Sequence, residues 1–421
     1  MAYSQEIAWG DGTGDKIYFS APASEGNQTV TVTSDANAGA ERTKTVNFNA
    51  SGVSPQPLQI VQLGSGGGTD FDAWLKDGDT HLWIDIVNDY QLAQEIRIRM
   101  IGTIDWGDGS AKDTANVTAY TTFTHTYSAK GKYRIDLHPT SGTFYLGGGA
   151  NTYNVMGART SSGLYRIAAL YQLEVGTSLI TQISGYAFYY AVGLKRIYIP
   201  KTITNLGNQV FSNCYSLYHI EFEDWMRMSG TFNASSLFYN CYSLVDICDY
   251  VPNIASGTQY SSCFRGCYSL TEAVIPSATT ALAANSFSNT YCFQYLFCLP
   301  TAAPTAAAAT AVSFPDTCVI VVPTGSLSSY QGASYWSTYS SKMVEGATIS
   351  FTLSYVTSSN KHMMSVKNVA FTTTLTPDSG KTLGTVTVKM GGTDITSTAY
   401  SAGVVTIASV TGNITITATA S

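Results

Sequence analysis

The chain has 421 residues, of which 12% are charged, and a net charge of −6. That length calls for several domains, and the lack of any basic run excludes a nucleic-acid-binding surface. No apolar stretch approaches the roughly 20 residues that a membrane helix needs, so membrane insertion is not expected. The opening residues, Met1-Ala-Tyr-Ser-Gln-Glu-Ile7, lack the positive and apolar regions of a secretory signal. The expectation is therefore a protein whose leader was removed or that reaches a surface by another route.

Residues 1–64 read as a small β-domain. Lys16-Ile-Tyr-Phe19, Thr29-Val-Thr-Val-Thr33, Thr43-Lys-Thr-Val-Asn-Phe48 and Leu58-Gln-Ile-Val-Gln62 are strand-like, with Gly, Pro and Asn between them. The phrases from Val32 to Asn37, Arg42 to Val46 and Gln59 to Gln62 resemble the later half of Bacteroidetes-associated carbohydrate-binding (BACON) domains. The resemblance implies a β-sandwich and, by the family name, sugar or mucin binding. The matching residues are strand and turn positions and define no sugar site. Such a module directly after Met1 is also similar to virion proteins of gut bacteriophages, which implies docking on a particle. Gly64-Ser-Gly-Gly-Gly68 then gives a flexible linker, placed at 65–69.

Residues 70–150 form the next module. Ile104-Asp-Trp-Gly-Asp-Gly109, Phe123-Thr-His-Thr-Tyr127 and Gly131-Lys-Tyr-Arg-Ile-Asp-Leu137 resemble a polycystic-kidney-disease (PKD) type Ig-like domain. Asp108-Gly109 suits a tight turn between strands. Asp105 and Asp108 read as turn formers, with calcium ligation the alternative, and no metal is assigned. His125 reads as a packed strand histidine, because no acidic or nucleophilic partner stands beside it in a motif.

A phrase then repeats. It is Phe211-Ser-Asn-Cys-Tyr-Ser-Leu217, Phe238-Tyr-Asn-Cys-Tyr-Ser-Leu244 and Phe264-Arg-Gly-Cys-Tyr-Ser-Leu270, with looser copies from Phe188 and Phe287. A period in this range signals a solenoid whose turns stack on one another. Each copy runs on into an apolar-alternating strand, as in Leu194-x-x-Ile197-x-Ile199-Pro200, and Leu170-x-x-Leu173-x-Val175 gives a degenerate first turn. The expectation is that Leu194, Leu217, Leu244 and Leu270 stack on a shared sheet. These turns resemble the BspA-like class of leucine-rich repeats over roughly residues 160–346. The segment Cys318-Val-Ile-Val-Val-Pro323, followed by Tyr330 and Tyr335-Trp-Ser-Thr-Tyr339, is similar to that family's closing turn. Thr290 replaces the Cys, Asp249 sits at a strand position, and the run Ala302 to Ala311 reads as an irregular loop or a short helix.

All eight Cys lie between 214 and 318, three of them at one repeat position, which argues for buried, reduced thiols. Tyr215, Tyr242, Tyr268 and Tyr291 share the next position and would form a ladder. That ladder either packs between turns or offers a ligand surface, and it is the candidate ligand site. Residues 347–421, with Thr385-Val-Thr-Val-Lys389, Val404-Val-Thr-Ile407 and Ile414-Thr-Ile-Thr417, read as an Ig-like β-domain. This domain resembles the C-terminal modules of phage structural and bacterial surface proteins.

No nucleophile elbow, zincin motif, phosphate loop or zinc spacing is present, so neither catalytic residues nor a cofactor is assigned. The fold class expected is mainly β and multidomain: β-sandwich and PKD/Ig-like domains, a leucine-rich-repeat solenoid over 151–346, and an Ig-like end. The function expected is a non-enzymatic bacteriophage virion surface protein: a head fibre, decoration protein or tail-associated adhesin. It would dock on other virion proteins through its N-terminal domain, stand as a homo-oligomer on the particle, and meet a host surface protein or glycan. The alternative is a bacterial cell-surface adhesin or glycan-binding protein.

Overall fold

The computed structural model describes residues 73–147, 153–158, 166–223, 235–245, 262–277, 279–282, 285–306, 314, 317–360, 362–378 and 380–421, together with the backbone of strands within the first 62 residues. The chain divides into two units, Met1–Trp74 and Leu75–Ser421. In the first unit, Tyr3–Ala8, Lys16–Ala21 and Thr31–Ser34 form an antiparallel sheet, and Arg42–Phe48 pairs antiparallel with Gln56–Gln62. The β-branched runs of the sequence fall on these strands. Tyr3–Ala8 is an addition, because its polar middle gives little strand signal. The Gly64–Gly68 linker lies outside the described residues.

The second unit opens with an antiparallel sheet. Its strand Ala93–Asp105 alternates strictly, burying Ile96, Ile98, Met100 and Ile104 on one face. It pairs with Gly131–Leu146, Asp113–Asn116 and Thr121–Thr126. Thr80–Ile86 pairs antiparallel with Gly131–Leu146 on one edge and with Leu170–Glu174 on the other. Leu170–Glu174 then starts a parallel stack with Arg196–Ile199 and His219–Phe222. The antiparallel module therefore passes without a break into the solenoid, and one apolar core runs from Leu82 through Phe188, Leu217 and Leu270 to Trp336.

Beyond residues outside the description, the stack resumes with Glu272–Ile275, Tyr295–Cys298 and Val319–Pro323. Ile180–Ile183 and Asn205–Leu206 form a second parallel column, as do Ala281–Leu282 and Thr305–Ala306. Within the run Ala302 to Ala311, the described part thus contributes a short strand where a loop or helix was expected.

The repeat phrase has a physical explanation in the backbone. The residue two before each Phe (Tyr186, Gln209, Ser236, Ser262, Asn285) and the residue two after it (Tyr190, Asn213, Asn240, Gly266, Asn289) have positive φ. Asn and Gly adopt that left-handed conformation most readily, which accounts for their recurrence before the Cys slot. Between these corners the Phe rings stack one per turn. Successive centroids are 5.7, 5.8, 5.8 and 5.3 Å apart from Phe188 to Phe287.

Leu194, Leu217, Leu244 and Leu270 are all buried, yet they sit ahead of the strands. Each donates its N–H to the carbonyl three residues back, closing a turn, and the strands at Arg196 and His219 begin two residues later. The leucines plug the turn and the isoleucines fill the sheet. Ile247 and Asp249 of the third copy lie outside the described residues.

Two short helices, Leu327–Gly332 and Trp336–Lys342, seal the far end. The fully buried Tyr330 donates its hydroxyl to Pro300 O at 2.9 Å, and Trp336 donates Nε1–H to Pro304 O at 2.6 Å. Met343–Ser354 then serves two bodies. Its first residues pair parallel with Val319–Pro323, and Ile349–Ser354 pairs parallel with Ile414–Ala420. The boundary drawn at 346 falls inside this strand. Leu383–Met390, Phe371–Pro377 and Val404–Ile407 complete a β-sandwich with its own core around Val388, Val405 and Ile416.

Candidate functional site

Two surfaces of the solenoid face outward: the outer side of its parallel sheet and the ridge that carries the tyrosines. Alternation along the strands predicts an open outer sheet face, but both ends are covered. Near the antiparallel module, Lys76 lies over the Tyr198 ring at 4.7 Å and Tyr198 is buried. At the other end Phe297, Val274 and Val321 are buried with Met364 in the same core. His362 packs 5.8 Å from Phe297 and pairs with Glu272 at 3.3 Å.

The tyrosine ridge is different. Tyr215 and Tyr242 stack at 4.7 Å and 4°, Tyr242 and Tyr268 at 4.6 Å and 1°, and Tyr268 and Tyr291 at 5.4 Å and 32°. The tight pairs match the 4.7–4.9 Å spacing of adjacent strands, so the ladder is a direct result of one ring per turn. Exposure rises along it, from half-buried Tyr215 and Tyr242 to 39% at Tyr268 and 67% at Tyr291.

This geometry combines the two readings of the ladder. The ring faces of the inner members are spent on one another, so those members present only edges and hydroxyls to the outside. Among the described residues no ring covers the far face of Tyr291. Burial, and then the neighbouring phenols, push Tyr215 and Tyr242 above the ordinary tyrosine range, so their hydroxyls stay protonated at neutral pH. Sequence reasoning missed Tyr190, whose ring meets Tyr215 edge-on at 6.0 Å. It comes from a left-handed corner position and not from the ladder slot, which holds Val192 in that turn. The available signal was a Tyr where later turns have Asn or Gly.

Beneath the ladder Cys214, Cys241 and Cys267 are free and buried as expected, whereas Cys292, beside Tyr291, is free and exposed. Cys214, Cys241 and Cys267 donate to the Phe188, Phe211 and Phe238 carbonyls of the preceding turn at 3.3, 3.1 and 3.1 Å. Burial raises all three pKa values, which keeps them as unreactive thiols. Asn240 Nδ2 donates to Asn213 Oδ1 at 2.9 Å, adding a polar rung beside them.

In the antiparallel module, Asp105 and Asp108 accept the N–H groups of Gly107 and Ser110, which is turn bonding. His125 does have an acidic partner, contrary to expectation. Its Nε2 lies 2.8 Å from Asp108 Oδ2, and its ring stacks on Trp106 at 5.0 Å. The two residues are 17 apart in sequence and meet only across strands. Asp108 is pushed down to about 2, first by the Ser110 hydroxyl and then, against some burial, by His125. The carboxylate stands between hydroxyl and imidazole, so the His125 ring engages Asp108 and not the Ser110 oxygen, unlike the base–nucleophile contact of an activated serine. Among the described residues no three His, Cys, Asp or Glu side chains are grouped to hold a metal ion, and no helix is long and apolar enough to cross a membrane.

Residues 177–300 match the family model described as BspA type Leucine rich repeat region, in six copies. The repeat region is of the BspA type. The match is shorter than the 160–346 of the sequence resemblance. No curated protein matches the chain. Among solved structures, the chain is similar to a leucine rich cell surface protein from Faecalibacterium prausnitzii A2-165, at 25% identity over 30% of this chain and 31% of that one, TM-score 0.26. It is similar to the T. pallidum leucine rich repeat protein at 19% identity, over 30% and 62%, TM-score 0.24. It is also similar to the pneumococcal vaccine antigen PcpA at 12% identity, over 41% and 39%, TM-score 0.30. The chain spans less than two thirds of each.

Proposed function

We propose that the chain is a non-catalytic surface scaffold whose BspA-type solenoid presents the edge and open end of the tyrosine ladder to a partner. The observation that carries this reading is the gradient of exposure along Tyr215, Tyr242, Tyr268 and Tyr291. Tyrosine offers a rigid contact surface with a polar tip at small entropic cost, which suits protein or glycan surfaces. The sparse charge of the chain favours an uncharged ligand such as a neutral glycan. The first unit, Met1–Trp74, serves as the anchoring module.

A bacterial cell surface is the preferred location. The virion reading rests only on the sequence resemblance of the flanking modules. Antibodies to residues 160–421 should label intact producing cells, and labelling of phage particles alone would return the virion reading to first place. The full-length protein should bind immobilised mucin glycans or host-cell surface protein, and the double variant Tyr268→Ala/Tyr291→Ala should lose at least tenfold in affinity. Unchanged binding by a folded double variant would remove the ladder as the contact surface.

A further inference from the structure

The strand Thr80–Ile86 stands at the seam where the antiparallel module gives way to the parallel stack. Its His81 is in register with Asp136 on one side and Glu174 on the other. The residue is 1% exposed, and both ring nitrogens are engaged. Nδ1 lies 2.7 Å from Asp136 Oδ1, and Nε2 lies 2.9 Å from Asp77 Oδ1. A neutral imidazole carries one N–H and one lone pair, so it can donate to only one of two carboxylates; the imidazolium donates to both.

Asp77 belongs to a strap, residues 75–79, laid against the sheet ahead of the strand. The N–H groups of Leu75 and Lys76 donate to the Glu174 carboxylate. Lys76 Nζ reaches Glu221 at 3.2 Å while lying over Tyr198. Gly78 O accepts Ser178 N–H at 3.0 Å, and Asp79 pairs with His138 at 2.8 Å. The approach is built into the sequence. A Cβ at Gly176 would collide with the backbone of Gly78 and Asp79.

The charged surroundings come from every neighbouring element. The strap supplies Lys76, Asp77 and Asp79. Gly131–Leu146 supplies Asp136, His138 and Arg134, whose guanidinium grips Asp136 at 2.7 and 2.9 Å. Asp105, opposite Asp136, pairs with Lys112 at 3.0 Å. The solenoid supplies Glu174, with Tyr198 and Glu221 beyond it. Carboxylates outnumber the lysines and arginine, so a cation at His81 is favoured.

We propose that His81 is a pH-operated latch, whose imidazolium form holds the strap 75–79 on the sheet and whose loss of one ring proton frees the strap at Asp77. Asp136 keeps Arg134 and the remaining ring N–H, whereas the half-exposed Asp77 loses its bond to the sheet strand and keeps the Asp79 N–H within the strap. Burial works against the cation, but the bonds to Asp136 and then Asp77 outweigh it and raise the His81 pKa above 6.5. The latch is therefore fully closed below about 6.5, the unlatched histidine value, and is lost as pH rises through the latched pKa above it. Asp77 and Asp136 resist protonation, since His81 draws both below the usual carboxylate range despite burial, so the latch persists into mild acid. Loosening the strap moves Lys76 off Tyr198 and Glu221 and opens the covered end of the outer sheet face.

The test is amide exchange of residues 75–80 in the full-length protein from pH 6 to 9, normalised to unprotected peptide rates. One linked proton predicts that opening rises by up to about tenfold per pH unit above 6.5 and then levels off. His81→Gln and Asp77→Asn should each abolish this dependence, while His138→Gln should keep it. Should His81→Gln fail to fold, Asp77→Asn, at a half-exposed side chain, still decides. Flat wild-type protection across this range, or a His81 ring that titrates by NMR at or below 6.5, overturns the latch.

Discussion

Asn240 shows how much one side chain can carry. Its φ of 58° is left-handed, and its amide bonds to Asn213 of the preceding turn. Replacing it by Ala should cost about 1–2 kcal/mol for the left-handed conformation alone, with the lost hydrogen bond on top. Asn240→Gly should recover the conformational part, so the two variants should separate by denaturant midpoint in that order. Equal midpoints would mean that the corner is not strained. The thiol below is passive by the same logic. Cys241 is fully buried and bonded to Phe211 O, so alkylation should wait for unfolding. Asn was visible in the sequence only as part of a repeated phrase. Its reason, a backbone angle, needed the structure.

At the scale of the turn, the repeat was legible because its copies spend the same residue types on the same tasks: Phe for the stacked column, Cys in three copies for the carbonyl of the preceding turn, Leu for the plug. Thr290 bonds Phe287 O of its own turn instead. What could not be read was which face stays open. Strand alternation marks Tyr198 and Phe297 as outward, and it has no means of showing that Lys76 lies over the first and that His362 packs on the second. The His125–Asp108 pair was hidden for the same reason, being made by strands crossing and not by spacing. The ladder itself makes a graded prediction. Tyr242→Ala removes two stacked contacts of about 0.5–1.5 kcal/mol each, and Tyr291→Ala removes one tilted contact at an exposed site. Thermal melts should therefore fall clearly for Tyr242→Ala and little for Tyr291→Ala. A reversed order would show that the ladder does not hold the turns together.

Over the whole of Leu75–Ser421, composition and spacing suggest a string of separate modules, and the sheets argue otherwise. Thr80–Ile86 is paired on both edges, and its Leu82, Ile84 and Ile86 belong to the same core as Phe188 and Leu217. Cutting the antiparallel module away would leave Leu170–Glu174 as a bare edge and expose that core. The sandwich built on Val388, Val405 and Ile416 has its own interior and meets the solenoid through the strand Met343–Ser354 and the segment carrying His362 and Met364. The antiparallel module and the solenoid should therefore unfold as one cooperative body. In urea, amide exchange in Ala93–Asp105 and alkylation at Cys241 should report the same midpoint, while Ile414–Ala420 is free to differ. Leu82→Asp, which buries a carboxylate at a cost of several kcal/mol, should expose Cys241 to alkylation although the two residues lie in different modules. A Leu82→Asp protein whose Cys241 stays protected would show that the seam divides two independent folds.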